Sequence, residues 1–165
     1  MAPNHRLRLI EPRDDAEVAR LIRDVMTEHG AVGPGYSIED PEVDAMSRWY
    51  PPPDAAYWVA TGDDDVPLGA GGFARLVGTA PEDAVCELRK MYFRPALRGL
   101  GLGRRLLDLA MSTARAAGYR TMYLETLASM ADAERLYRAA GFAPRCAPMG
   151  ATGHGGCDRW YSKPL

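Results

Sequence analysis

The sequence predicts an α/β fold (mixed α+β) with six to seven strands, mostly antiparallel, and about four helices. Three observations carry that expectation. Short runs rich in β-branched and aromatic residues alternate with amphipathic runs of helical spacing. Glycine and proline punctuate nearly every boundary between them. One passage reads strand, helix, strand (Ala84–Phe93, Arg104–Ala117, Arg120–Thr126), and the right-handed rule for such crossovers makes its two strands parallel neighbours.

Leu7–Ile10 alternates like a short strand. Pro12-Arg13-Asp14 then opens a helix capped by Asp14 or Asp15, with Val18, Leu21, Ile22 and Val25 on one face. His29-Gly30 ends it, and the glycine-rich segment Gly30–Tyr36 is expected to be mobile. A second helix is predicted over Pro41–Trp49, with Asp40 as cap and proline in the first helical position, stopped by Pro51-Pro52-Pro53. Tyr57–Thr61, Leu68–Val77 and Ala84–Phe93 read as an antiparallel meander joined by turns at Gly62–Asp65 and Thr79–Asp83. Beyond it, Leu102, Leu106, Leu109/Ala110, Thr113 and Ala117 recur at helical spacing up to Gly118. Arg120–Thr126 is the parallel strand. Met130–Ala140 is a helix with Ala133, Leu136, Tyr137 and Ala140 on one face, ended by Gly141. Phe142–Ala147 and Cys157–Ser162 close the sheet around the loop Pro148–Gly156.

At 165 residues the chain suits a single domain, 1–165, large enough to bury roughly two-thirds of its unfolded surface. It has no apolar run of membrane-spanning length, and Met1–Arg8 lacks the apolar core of a signal peptide. Cys86, Cys146 and Cys157 are odd in number and show no C-x-x-C spacing, which favours neither a disulfide framework nor zinc. Cys86 and Cys146 read as small core hydrophobes. A reduced cytoplasmic protein without a metal is expected, as a monomer or a homodimer. The net charge of −2 hides an asymmetry. Residues 1–85 hold 7 basic and 16 acidic side chains (−9), residues 86–120 hold 8 and 2 (+6), and the rest hold 5 and 4 (+1). The basic segment lacks the aromatic-rich stripe of a nucleic-acid binder, so an anionic small molecule is the better match.

That segment surrounds Arg98-Gly99-Leu100-Gly101-Leu102-Gly103, placed between a strand and a helix. A loop with so few Cβ atoms lets the orphan amides of the helix's first turn converge, and the helix dipole adds positive potential there. Such a cradle suits a phosphate or pyrophosphate. Two familiar phosphate loops fail the comparison. The glycines read G-x-G-x-G rather than G-x-G-x-x-G, and the preceding strand is too deep in the chain to open a dinucleotide fold. No Gly-Lys-Ser/Thr ending marks a P-loop.

The run C-E-L-R-K-M-Y-F-R-P-A-L-R-G-L-G-L-G-R-R-L-L from Cys86, followed by a strand and then A-x-x-L-Y-x-x-x-G-F from Ala133, resembles the GNAT superfamily of acetyl-CoA-dependent N-acetyltransferases. Arg98, Gly101 and Gly103 match that family's Gln/Arg-x-x-Gly-x-Gly/Ala cofactor motif. Leu136, Tyr137, Gly141 and Phe142 match its Leu-Tyr-x-x-x-Gly-Phe motif. Cys157-Asp158-Arg159 is similar to the ending of some small bacterial members. The resemblance implies a GNAT-like sheet whose strands ending at Phe93 and near Thr126 splay apart and bind the pantetheine arm of acetyl-CoA like an added strand. It assigns the cofactor to Met91, Tyr92, Phe93, Arg98, Gly99, Leu100, Gly101, Leu102, Gly103, Arg104 and Thr126. The Met91 amide would face the thioester oxygen, Phe93 would hold the arm, and the amides of Arg98 through Arg104 would take the pyrophosphate. The family often carries Asn seven residues before its tyrosine; Met130 stands there, and Ser129 or backbone is expected to replace that contact.

The same resemblance implies a small-molecule primary amine as acceptor, with a protein Lys or N-terminus, or a non-catalytic acyl-CoA sensor, as alternatives. Glu87 is the candidate general base and Glu125 its competitor, although an ion pair between Glu87 and Arg89 or Arg75 is equally in keeping with the residues. Tyr137 is the candidate donor to the departing sulfur, or else a packing residue. His154 reads as a solvated loop histidine. Trp49, Tyr50, Tyr57 and Trp58 are core aromatics or else line an acceptor pocket with the Gly30–Tyr36 segment.

Overall fold

The computed structural model describes residues 4–165; residues 1–3, where the N-terminal stretch read above begins, lie outside them. Seven strands form one sheet: β1 (Arg6–Leu9), β2 (Ala56–Thr61), β3 (Pro67–Arg75), β4 (Val85–Phe93), β5 (Thr121–Thr126), β6 (Ala143–Arg145) and β7 (Arg159–Pro164). Their order is β1-β2-β3-β4-β5-β7-β6. Every pairing is antiparallel except β4 with β5, the two strands joined by a helical crossover. The predicted meander and the predicted parallel neighbours are both present.

Three α-helices cover the sheet: α1 (Asp15–Glu28), α2 (Leu102–Ala116) and α3 (Ala131–Ala139). On one face α1 buries Val18, Leu21, Ile22 and Val25 with Tyr57, Val59 and Ala70 of the sheet. On the other, α2 buries Leu106, Leu107, Ala110 and Ala114 with Phe73, Leu88, Met122 and Leu124. Each fully buried leucine or isoleucine of these faces contributes about 1.5–3 kcal/mol from burial alone. Strand β2 has all six residues buried, which places it beneath both layers.

The fourth helical segment, Pro41–Arg48, is 3-10 helix broken at Ala45 (φ −148°, ψ 44°) rather than a continuous helix. Asp40 precedes it but makes no capping hydrogen bond, because its carboxylate is drawn elsewhere. Neither Asp14 nor Asp15 caps α1 with its side chain. Asp14 instead accepts the Glu11 amide at 2.8 Å and both terminal nitrogens of Arg8, and Asp15 reaches the Ser47 amide and hydroxyl. The last strand starts two residues later than expected, since Cys157 and Asp158 still belong to the preceding loop. Cys86 is buried as expected; Cys146 is exposed, at the end of the short edge strand β6, where no core reaches it.

Asp14 is buried against Arg8 at 2.7 Å. Burial alone would raise its pKa, but the Arg8 guanidinium and the Glu11 amide together outweigh that and hold it below the usual aspartate value. A depressed folded-state pKa gives stability that is complete above the unfolded value and is lost as pH falls through the folded one. Asp14→Asn is therefore expected to cost about 2–3 kcal/mol at pH 7, some 4–12 °C in melting temperature. Melting curves at pH 7 and pH 3 check this: the gap between variant and parent should shrink in acid.

Candidate functional site: a cofactor cleft that meets a polar cavity

Gly99 and Gly101 adopt left-handed backbone conformations (φ 77° and 76°), open to glycine at little cost. These two turns bring the chain into α2, whose N-cap is Gly101. The Arg98 amide is taken by Pro95 O at 3.1 Å, so it is not free for a ligand as expected. From Gly99 to Arg104 the amides have no backbone partner among the described residues. Arg98 serves the loop by its side chain instead: Nε donates to Phe93 O at 2.8 Å, and Nη1 and Nη2 donate to Glu28 of α1 at 2.6 and 2.8 Å. Leu100 points to solvent.

These amides open onto a cleft bounded by the end of β4 and by residues 129–133 and Leu136, beyond the point where β4 separates from β5. The two strands share only the register pairs Val85–Thr121, Cys86–Met122 and Glu87–Tyr123, after which they part. Strand β5 is paired with β7 along its whole length, while β4 stays with β3 through a bulge. Ala70 faces Tyr92 and Gly72 faces Arg89, so Gly71 stands opposite both Lys90 and Met91. Lys90 takes φ 45°, a left-handed value that costs a side-chain-bearing residue about 1–2 kcal/mol. Tyr57 Oη donates to Lys90 O at 2.7 Å and pins the bulge. Beyond it, Met91 and Phe93 pack toward the α2 layer and Tyr92 toward the α1 layer. The cleft, about 430 Å³, is lined by Met91, Tyr92, Phe93, the glycine loop, Ser129 and Leu136. It thus gathers most of the predicted cofactor residues.

At its inner end, Met91, Tyr92, Met130 and Ala133 also line a second, smaller cavity of about 60 Å³. Its walls include Glu87, Arg89, Lys90, Glu125, Thr126, Tyr137, His154 and Cys157. Thr126 belongs to this cavity rather than to the cleft. Glu87 is buried, and desolvation raises its pKa although Arg89 Nε, 3.0 Å away, opposes the rise. Of the two ion-pair partners considered, Arg89 is the one found. Glu125 accepts hydrogen bonds from Tyr123 Oη at 2.8 Å and Thr152 Oγ1 at 3.0 Å. Tyr137 is buried, stacked edge-on with Phe142 at 6.0 Å, and burial pushes its phenol well above the ordinary range. Burial also pushes the Cys157 thiol up to about 12, which keeps it protonated.

His154 is not a solvated loop residue. Its Nε2 lies 3.0 and 2.9 Å from the two Asp40 oxygens, and its Nδ1 is 3.7 Å from Glu125. Desolvation lowers its pKa, but the Asp40 hydrogen bond together with the charges of Asp40 and Glu87 outweighs it and the net shift is upward. Asp40 also accepts Lys90 Nζ at 2.6 Å, and Lys90 pairs with Glu42, which accepts Tyr50 Oη at 2.9 Å. A continuous polar chain therefore runs from Tyr50 through Glu42, Lys90 and Asp40 to His154. The segments Gly30–Tyr36 and Pro148–Gly156 close over it: Gly156 N donates to Gly35 O at 2.9 Å, and the Tyr36 ring covers Gly156. Trp49, Tyr50, Tyr57 and Trp58 do not line the cavity. Trp49 is exposed and the other three are buried in the core; Tyr36 and Tyr92 take the lining positions instead. The signal for Lys90, Asp40 and His154 was absent locally, because their partners lie 50 and 114 residues apart in sequence.

With this geometry described, the relatives of the chain fall into place. Residues 19–142 match the Acetyltransferase (GNAT) family model. The uncharacterized N-acetyltransferase YjgM of Escherichia coli (strain K12) is 40% identical over 153 residues, covering 92% of this chain and 90% of that protein. The chain belongs to the GNAT acetyltransferase family. Among solved structures, a GNAT-family acetyltransferase from Staphylococcus aureus Mu50 superposes with a TM-score of 0.80 at 18% identity, covering 98% of this chain and 99% of that one. A GNAT superfamily phosphinothricin acetyltransferase from Sinorhizobium meliloti, in complex with AcCoA, gives 0.76 at 22% identity, covering all of this chain and 89% of its own. Both share the fold.

Among the described residues, Lys90 is the one cation paired with both Asp40 and Glu42. Lys90→Met would leave these carboxylates facing one another without it, and a loss of about 3–5 kcal/mol is expected, roughly 6–20 °C in melting temperature. Thermal unfolding followed by circular dichroism measures it.

Proposed function

We propose that the protein transfers an acetyl group from acetyl-CoA to the primary amine of a small molecule by direct attack. One observation carries this reading above the others. The unpartnered amides of Gly99–Arg104 border a cleft that shares Met91, Tyr92, Met130 and Ala133 as walls with the cavity holding Glu87 and Tyr137. A diphosphate matches those amides, and the gap between β4 and β5 matches an extended arm. Family membership and a fold neighbour in complex with AcCoA support the same ligand. The small volume of the inner cavity favours a small acceptor over a protein.

When bound, acetyl-CoA supplies an activated thioester. An alkylammonium must lose a proton before its nitrogen can attack, because its pKa lies near 10. Glu87 suits the receipt of that proton, its basicity raised by burial and its carboxylate held in place by Arg89. The Met91 backbone lies at the junction of cleft and cavity, where an amide would stabilise charge developing on the carbonyl oxygen. Tyr137, with a pKa well above that of a thiol, acts best as a hydrogen-bond donor to the departing sulfur rather than as a full proton source.

CoA release with an amine panel tests the reading as a whole; absence of acetyl-CoA binding would reject it. Tyr137→Phe is expected to lower kcat about 10–100-fold with acetyl-CoA affinity nearly unchanged, the size of a hydrogen bond to a charged group. Steady-state kinetics beside calorimetry separates these quantities, and full retained kcat would remove Tyr137 from the chemistry. Glu87→Gln should shift the pH–rate profile toward alkaline pH, because the amine would then have to lose its proton to solvent. An unchanged profile would assign the base elsewhere.

A further inference from the structure

The charges around the inner cavity point to the kind of amine it accepts. Among the described residues lining it, the basic groups are Arg89, Lys90 and His154, and each already faces carboxylate or carbonyl oxygens of the protein. Arg89 donates Nε to Glu87 and Nη2 to Arg75 O, each at 3.0 Å. Lys90 is held by Asp40 and Glu42. His154 lies between Asp40 and Glu125. Asp40 and Glu42 stand behind Lys90 and His154, outside the lining; counted with Glu87 and Glu125, the four carboxylates exceed these three cations by one even with His154 protonated. Glu87, Glu125 and His154 each bring one polar atom to a common point, all within 4.8 Å of one another.

Resting on the acetyltransferase reading above, we propose that the acceptor is a compact cationic amine with no carboxylate beside the reacting nitrogen. An ammonium group brings the cavity and its immediate surroundings to neutrality, and Glu87 and Glu125 supply oxygens for its N–H groups. A carboxylate on the neighbouring carbon would enter the same small space, where it would meet a carboxylate on each strand and no cation left unengaged. The cavity therefore selects decarboxylated amines over the parent amino acids. Selection works by repulsion as much as by attraction.

Matched pairs provide the test: histamine against histidine, agmatine against arginine and isobutylamine against valine, with valinamide as a third partner carrying the carboxyl group without its charge. At saturating acetyl-CoA, kcat/KM should favour the amine by at least about 100-fold within each pair. Valinamide should recover at least about tenfold over valine. Glu125→Gln should shrink the amine-to-acid ratio by about tenfold, while calorimetry reports acetyl-CoA binding as in the parent. Equal or better turnover of the amino acids would overturn this inference and leave acetyl transfer standing. An unchanged ratio in Glu125→Gln would also overturn it. Silence of every pair would reject the transferase reading and this inference with it.

Discussion

The bulge at Lys90 is the constraint on which the rest of the site depends. An ordinary strand would send successive side chains to alternate faces, placing Lys90 toward the α2 layer beside Leu88. The extra residue sends Arg89 and Lys90 to the same face and turns the last residues of β4 away from β5. That one irregularity opens the cleft and also delivers a cation to Asp40 and Glu42. Its backbone strain is offset locally by the Tyr57 hydrogen bond and the two ion pairs of Nζ. Strand β5 meanwhile keeps all its residues paired with β7, so the parting of β4 and β5 leaves one edge open rather than a sheet torn in two.

The same cation joins parts of the chain that have little else in common. Asp40 joins the segment Ser37–Glu39 to the broken 3-10 helix that carries Glu42, and the loop before β7 carries His154. Through Lys90 and Asp40 these loops are fixed on the strand that also bears Glu87 and Met91. The walls that would recognise an acceptor and the backbone that would hold a thioester are thus one connected structure. Burial sets the protonation of the side chains there: it raises the pKa of Glu87 and keeps Tyr137 and Cys157 protonated.

Much of this was legible in the sequence, for identifiable reasons. Helix α2 showed itself by Leu106 and Ala110 at helical spacing, and the crossover rule then fixed β4 and β5 as parallel neighbours. The glycine loop was legible because a run with so few Cβ atoms just before a helix lets amides converge; the left-handed turns at Gly99 and Gly101 are what the structure adds. What escaped depends on distant partners. Asp40 has the residue type and position of a helix cap, yet Lys90 and His154 compete for its carboxylate and win. His154 looked solvated because it is a lone histidine in a glycine-containing loop, and its partner Asp40 lies 114 residues away. Trp58 and Tyr57 were ambiguous because an aromatic on a strand fits a core as well as a pocket, and only sheet order places β2 under both layers. The bulge itself had no signature, since Lys is an improbable residue for positive φ.

Gly103 has a further consequence. A Cβ there would stand 3.3 Å from Leu136 Cδ2 and 3.8 Å from the Phe93 ring. The hydrogen at this position lets the crossover helix lie against the tyrosine-bearing helix with almost no spare room. Even a methyl at 103 would press on Leu136 from the wall of the cleft, so the space a thioester arm would occupy depends on the smallness of a residue remote from Tyr137.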